Sequence, residues 1–207
     1  MPVRFQKKCD SGAHLLVWEA KEDAEELFAS LPSTILTDAE YLTAKTEQKK
    51  LELLCSRVAI RHLAAELGID FEGIKKDEHG KPYMVGTPWE MSITHSKKFM
   101  AVVMHPAKPV GVDIERPQEK MWRITERLYS PAEIDAIGDD LNTMSIYWSA
   151  KEALYKLYGR RGTDFKENLK VFKEGNQLKG EIIMPDHQQV HDIHVEAVGG
   201  YFLVWAV

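Results

Sequence analysis

The chain has 207 residues, 44% of them hydrophobic, with five tryptophans and a formal net charge of −5. That is enough apolar mass for one large or two small globular domains, and the acidic balance excludes a strongly basic nucleic-acid or membrane-surface binder, leaving any anionic ligand to local cations. Cys9 and Cys55 have neither metal-ligand spacing nor the number that makes a disulfide framework, the first ten residues lack the apolar core of a secretory signal, and no apolar run approaches the roughly 20 residues that span a bilayer, so the expected setting is cytoplasmic.

In chain order, residues 14–18 read as a short strand and residues 22–30 as a helix that stops before Pro32. A longer helical region follows over residues 38–67, where Leu51, Leu54, Val58, Ile60, Leu63, Ala64 and Leu67 approximate a 3.6-residue period and Gly68 is placed to end it. Residues 69–75, 82–85, 91–94, 99–105 and 110–115 read as short strands, with turn chemistry at Asp77-Glu78-His79-Gly80. The run His105-Pro106-Ala107-Lys108-Pro109 interrupts any regular element and divides the chain into halves, 1–107 and 108–207. Helical segments are expected at 121–128, at 131–137 and at 143–158, the last ended by Gly159. Strands at 171–172, 178–183, 193–198 and 201–207, with hairpin turns at Gly175-Asn176 and Gly199-Gly200, predict an antiparallel sheet. The fold class is therefore α+β, and the loosely repeated order of elements points to two related halves without any repeat of sequence.

Two stretches carry chemistry. In Gly111-Val112-Asp113-Ile114-Glu115 the strand period of two points both carboxylates to one face and Val112 and Ile114 to the other, so two hard oxygen donors lie side by side. In Trp148-Ser149-Ala150-Lys151-Glu152-Ala153-Leu154-Tyr155-Lys156, Glu152 and Lys156 lie one helical turn apart on a shared face. Taken alone, the first is compatible with a solvated strand edge and the second with an ordinary surface ion pair. Together they offer the carboxylates and the cation that a metal-bound phosphate requires. Lys151 points about 100° away from Glu152 round the helix, and Trp148 and Tyr155, seven residues apart, form a stripe of the kind that packs in a core.

Three stretches in fixed order, Ser92-Ile93-Thr94-His95-Ser96, Gly111 to Glu115, and Trp148 to Glu152 with Lys156, resemble the 4'-phosphopantetheinyl transferases, specifically the two-repeat type that activates surfactin synthetase. Gly80-Lys81-Pro82 matches a further short motif of that family, and the likeness covers residues 40–160. One position departs from the pattern: Thr94 stands where the family usually has serine, keeping the hydroxyl and adding a methyl.

The resemblance implies the 4'-phosphopantetheinyl transferase fold, two similar α+β halves in a pseudo-twofold arrangement with coenzyme A bound between them. It implies magnesium-dependent transfer, with manganese as the alternative, of the 4'-phosphopantetheine group from coenzyme A to a serine of an acyl, peptidyl or aryl carrier protein, releasing adenosine 3',5'-bisphosphate. Such carriers serve fatty-acid, polyketide and non-ribosomal-peptide synthesis. On this resemblance Asp113, Glu115 and Glu152 are metal ligands, Lys156 meets the developing phosphate charge, and Lys151 is a further cation for the cofactor. Glu152 is the first candidate for the base that deprotonates the carrier serine. Glu133 is the alternative, its plain reading being a first-turn helix acid beside Pro131. The 3'-phosphate falls to Arg61 with Thr94 and His95, and the adenine end to Lys81; Arg57 is an additional candidate, while Lys49 and Lys50 read as a solvated helix face. Residues 121–141 are the candidate carrier-docking patch, with Met121, Trp122, Leu128 and Tyr129 as apolar anchors against a plain core-packing reading. Because residues of both halves complete one site, the expected state is a monomer, with neither nucleic acid nor membrane as partner. Two rival classes remain, a non-catalytic module that binds coenzyme A or a carrier and a metal-dependent nucleotide phosphohydrolase, which would need the acids but no carrier surface.

Overall fold

The structure is a computed structural model that describes residues 2–33 and 38–207. Helices and antiparallel sheets together make the chain α+β, and the elements cluster into two compact units, Met1–Asp77 with Pro82–Ala107 and Glu78–Lys81 with Lys108–Val207.

In the first unit β1 (Val3–Lys8), β2 (His14–Glu19), β5 (Glu90–His95) and β6 (Phe99–His105) form an antiparallel sheet in the order β1-β2-β6-β5. The apolar run of β6 is buried along its whole length, as an inner strand requires. Helix α3 (Glu47–Glu66) lays Leu54, Val58 and Leu63 against Leu16, Trp18, Val102 and Met104 of the sheet. The short α1 (Ala24–Ala29) is held at its start by a reciprocal capping box between Asp23 and Glu26. β1 has no counterpart in the sequence reading, because only Val3 and Phe5 relieve its polar composition; it pairs with β2 through an irregularity between those two residues.

The helical region expected over 38–67 is two helices, α2 (Ala39–Thr43) and α3. Ala44 is extended and the Thr46 hydroxyl accepts the Lys49 N–H at 3.1 Å, so the side chain starts a new helix instead of continuing the old one. Arg57 then ties α2 to α3. Its buried guanidinium donates to Asp38 at 3.0 and 3.1 Å, to Glu40 at 2.7 Å and to the Ser56 hydroxyl at 3.1 Å, a structural role in the fold. The strand expected at 69–75 shrinks to β3 (Ile74–Lys76), paired with β4 (Pro82–Met84), while Ile69 and Phe71 pack on the core. Cys9 and Cys55 are both buried in this unit and form no disulfide, and burial pushes the Cys55 thiol up to about 12.

The second unit is a five-stranded antiparallel sheet in the order β7-β11-β10-β9-β8, built from β7 (Gly111–Glu115), β8 (Leu169–Glu174), β9 (Gln177–Met184), β10 (His187–Val198) and β11 (Tyr201–Ala206). Two-residue turns at Gly175-Asn176 and Gly199-Gly200 join its hairpins as expected, and a third, Pro185-Asp186, joins β9 to β10. A 3-10 segment (Glu119–Ile124), α4 (Thr125–Leu128) and α5 (Pro131–Ile137) lead into α6 (Leu141–Tyr158), which packs on the sheet. Among the described residues no helix is long and apolar enough to cross a membrane.

β10 buries His191, whose Nδ1 lies 3.4 Å from the Val207 carbonyl and whose Nε2 has no hydrogen-bond partner among the described residues. Burial holds the ring below its ordinary pKa, against a smaller opposing pull from that carbonyl. The folded chain thus binds fewer protons here than the unfolded chain, so this contribution to stability is complete above the unfolded value of 6.5 and is lost as pH falls below it. Denaturant titrations from about pH 7.5 down to about pH 5 should show wild type losing stability more steeply than His191→Gln. Identical slopes would show that the fold does not disfavour the imidazolium.

Candidate active site

β7 is an edge strand paired with β11, Asp113 opposite Val204 and Glu115 opposite Phe202. Its alternation puts Gly111, Asp113 and Glu115 on one face and the fully buried Val112 and Ile114 on the other. Gly111 brings the first face against α6. A Cβ there would stand 1.8 Å from the Ala153 carbonyl oxygen and 2.7 Å from the Leu157 nitrogen, so only glycine lets the helix backbone rest on the strand. On β9 a Cβ at Gly180 would meet the Leu154 side chain at 2.6 Å, a second close approach under the same helix.

Helix α6 starts from Asp140, which accepts the Asn142 and Thr143 N–H groups, and ends in the left-handed conformation of Gly159. Its register on Gly111 turns the turn carrying Lys156 to the acidic face of β7. Lys156 Nζ donates to Asp113 Oδ1 and to the Val112 carbonyl, both at 2.9 Å, which leaves its third proton for another acceptor. Burial raises the Glu152 carboxyl above the usual carboxylate range; Lys156 opposes this, and Asp113 and Glu115 add to it. Glu115 is likewise raised, first by burial and then by Asp113. Three carboxylates therefore repel one another around one ammonium, an arrangement that a divalent cation would relieve. Hard oxygen donors without a thiolate or imidazole suit magnesium or manganese better than zinc or copper. Among the described residues no three His, Cys, Asp or Glu side chains form a ready-made metal cage.

Lys151 and Glu133 depart from the sequence reading, and both are corrections. The Lys151 side chain is fully buried, and Nζ donates to the carbonyls of Leu128 at 2.8 Å, Phe165 at 2.7 Å and Leu169 at 2.7 Å and to Glu133 Oε2 at 3.0 Å. Glu133 accepts the Ser130 N–H at 2.8 Å, the Ser130 hydroxyl at 2.9 Å and the Val171 N–H at 2.9 Å. Every proton of Lys151 and both oxygens of Glu133 are engaged, so the pair holds α5, α6 and β8 together and is neither a phosphate ligand nor a base open to a carrier serine. Burial pulls the Lys151 ammonium down to about 8, against the opposing Glu133 charge.

Lys81 falls within the second unit, where it donates to the Leu157 carbonyl at 3.2 Å in the last turn of α6. In the first unit Arg61 is exposed and donates to the Ser30 carbonyl, Thr94 is buried on β5, and the exposed His95 places Nε2 3.2 Å from Glu52. Lys49 and Lys50 form ion pairs with Glu52 and Glu47 on a solvated helix face. Trp148 and Tyr155 both meet the Phe165 ring, with centroids 6.0 and 5.6 Å away. The apolar anchors expected over 121–141 are turned inward: Met121 and Tyr129 are buried and Trp122 and Leu128 pack on the core, leaving Glu119, Lys120, Arg123, Ile124, Glu126 and Arg127 exposed, a surface of mixed charge.

Residues 109–203, from β7 through α6 into β11, match a family model described as the 4'-phosphopantetheinyl transferase superfamily. A 4'-phosphopantetheinyl transferase of Bacillus subtilis is 34% identical over 116 residues, which cover 52% of this chain and 51% of that protein. The chain thus spans about half the length of this relative in the match.

Gly111→Ala should cost stability at the upper end of the roughly 1–3 kcal/mol usual for overpacking, because the clash is with backbone. Gly180→Ala should cost less, since the ends of the Leu154 side chain can turn away. Equal denaturation midpoints for the two variants would show that α6 does not rest on Gly111.

Proposed function

We propose, from the match of residues 109–203 to a model of the 4'-phosphopantetheinyl transferase superfamily, that this chain transfers the 4'-phosphopantetheine group of coenzyme A to a serine of an acyl, peptidyl or aryl carrier protein. The observation that carries the reading is the cluster of Asp113, Glu115 and Glu152 around Lys156, inside the matched stretch. The name of the Bacillus subtilis relative supports the same activity.

Asp113, Glu115 and Glu152 would hold a magnesium ion, which would keep waters and substrate phosphates as its other ligands. Bound there, the ion supplies Lewis-acid polarisation of the pyrophosphate oxygens. Lys156, fixed by Asp113 and the Val112 carbonyl, directs its remaining proton to the phosphate being transferred. Glu152 takes the proton of the carrier serine, directly or through a water that it orients. The serine oxygen forms a bond to phosphorus as the bond to the leaving adenosine 3',5'-bisphosphate breaks. Arg61, Thr94 and His95 receive the 3'-phosphate in this reading. Residues 121–141 remain the candidate carrier-docking segment in this reading. The chain acts as a monomer.

Incubation with coenzyme A, magnesium and a panel of apo-carriers, followed by mass spectrometry, tests the reading. A phosphopantetheine mass gain on a carrier is expected; coenzyme A binding without transfer would reduce the chain to a binding module, and breakdown of coenzyme A without a carrier would make it a hydrolase. Glu152→Gln should abolish transfer while keeping or raising the melting temperature, because it removes a half-buried carboxylate that two others repel. Retained turnover at limiting magnesium in that variant would remove Glu152 from the site.

Arg61→Ala should raise KM for coenzyme A far more than KM for dephospho-coenzyme A, a charge-assisted contact being worth roughly 1.5–3 kcal/mol. Equal losses would assign Arg61 to its Ser30 contact and the fold.

A further inference from the structure

We propose that Arg161 is a further substrate-binding residue, a guanidinium fork for the 3'-phosphate of coenzyme A; the inference rests on the transferase reading above. The chain leaves α6 through Gly159-Arg160-Arg161-Gly162, and this loop meets the short turn Glu78–Lys81. Arg161 Nε donates to the His79 carbonyl at 3.3 Å, while Lys81, at the other end of the turn, donates to the Leu157 carbonyl at 3.2 Å. Gly159 makes that packing possible, since a Cβ there would stand 2.6 Å from Lys81 Cδ. Two cations are thereby held on either side of one turn by backbone carbonyls.

With Nε anchored, both terminal nitrogens of Arg161 remain, and they present parallel N–H groups that match phosphate oxygens. Arg161 is exposed, and among the described residues no carboxylate pairs with it, although the chain carries a net charge of −5. Its neighbour Arg160 is engaged differently, 5.6 Å over the Tyr158 ring and 3.8 Å from Asp186. Position along α6 selects the phosphate. Glu152 lies about 9 Å along the helix axis from the helix end at Tyr158, so a cation held beyond that end stands apart from the carboxylates assigned to the pyrophosphate. Coenzyme A offers one other phosphate, on the ribose.

Isothermal titration calorimetry with coenzyme A, dephospho-coenzyme A and adenosine 3',5'-bisphosphate tests the inference on wild type, Arg161→Gln, Arg161→Lys and Arg160→Gln. Arg161→Gln should weaken coenzyme A and the bisphosphate by roughly ten- to a hundredfold and leave dephospho-coenzyme A unchanged. Arg160→Gln should leave all three unchanged. Unchanged coenzyme A affinity in Arg161→Gln, equal loss for coenzyme A and its dephospho form, or an equal loss in Arg160→Gln would each overturn the inference while the transferase reading stands. Should the Gln variant fail to fold, the Lys variant decides: it keeps a cation without the fork, and an unchanged ratio of coenzyme A to dephospho-coenzyme A affinity overturns the inference. Wild type that binds no coenzyme A overturns the transferase reading itself.

Discussion

At Gly111 the backbone of α6 lies against the backbone of β7 with no room for a methyl group between them. The geometry of the acidic face follows from that contact. A helix seated there presents Lys156 to the strand residue two places on, Asp113, and the two meet at 2.9 Å. Moving the helix outward by the thickness of one side chain would separate the ammonium from the carboxylate and let water between them, where the attraction is several-fold weaker. The same seating half-buries Glu152, which is why its carboxyl resists ionisation and why a counter-cation has something to gain by binding.

Lys151 and Lys156 stand five residues apart on α6 and do opposite work. Lys151 is enclosed by three carbonyls from separate segments and by Glu133, so its charge is matched inside the unit. Taking away one member of such a buried pair typically costs about 3–5 kcal/mol, because the other charge stays behind without a counterpart. Lys156 keeps a quarter of its side chain exposed and a proton uncommitted. One helix thus carries a lysine that fixes its rotation and a lysine with a proton to spare, and rotation set by the first determines the reach of the second.

Whatever depended on short-range chemistry was legible in the sequence. The shared face of Asp113 and Glu115 follows from the period of a strand, the alignment of Glu152 with Lys156 from the pitch of a helix, and the turns at Gly175-Asn176 and Gly199-Gly200 from residue type. Features decided by distant partners were not legible. The burial of Lys151 depends on carbonyls of Leu128, Phe165 and Leu169, and a lysine beside a glutamate looks the same from sequence whether it faces solvent or a core. Glu133 looked like a free acid because its partner Val171 is far along the chain. The break between α2 and α3 was hidden for a different reason, since Thr46 is tolerable inside a helix and acts as a cap only where Ala44 turns away.

Both cysteines belong to the first unit, and both are buried. Burial that pushes the Cys55 thiol up to about 12 keeps it protonated at neutral pH, and the thiolate is the reactive form. The folded chain can therefore share solution with a pantetheine thiol without trading disulfides through Cys55. A maleimide or Ellman's reagent, blind to the cysteine-free second unit, times only the opening of the first.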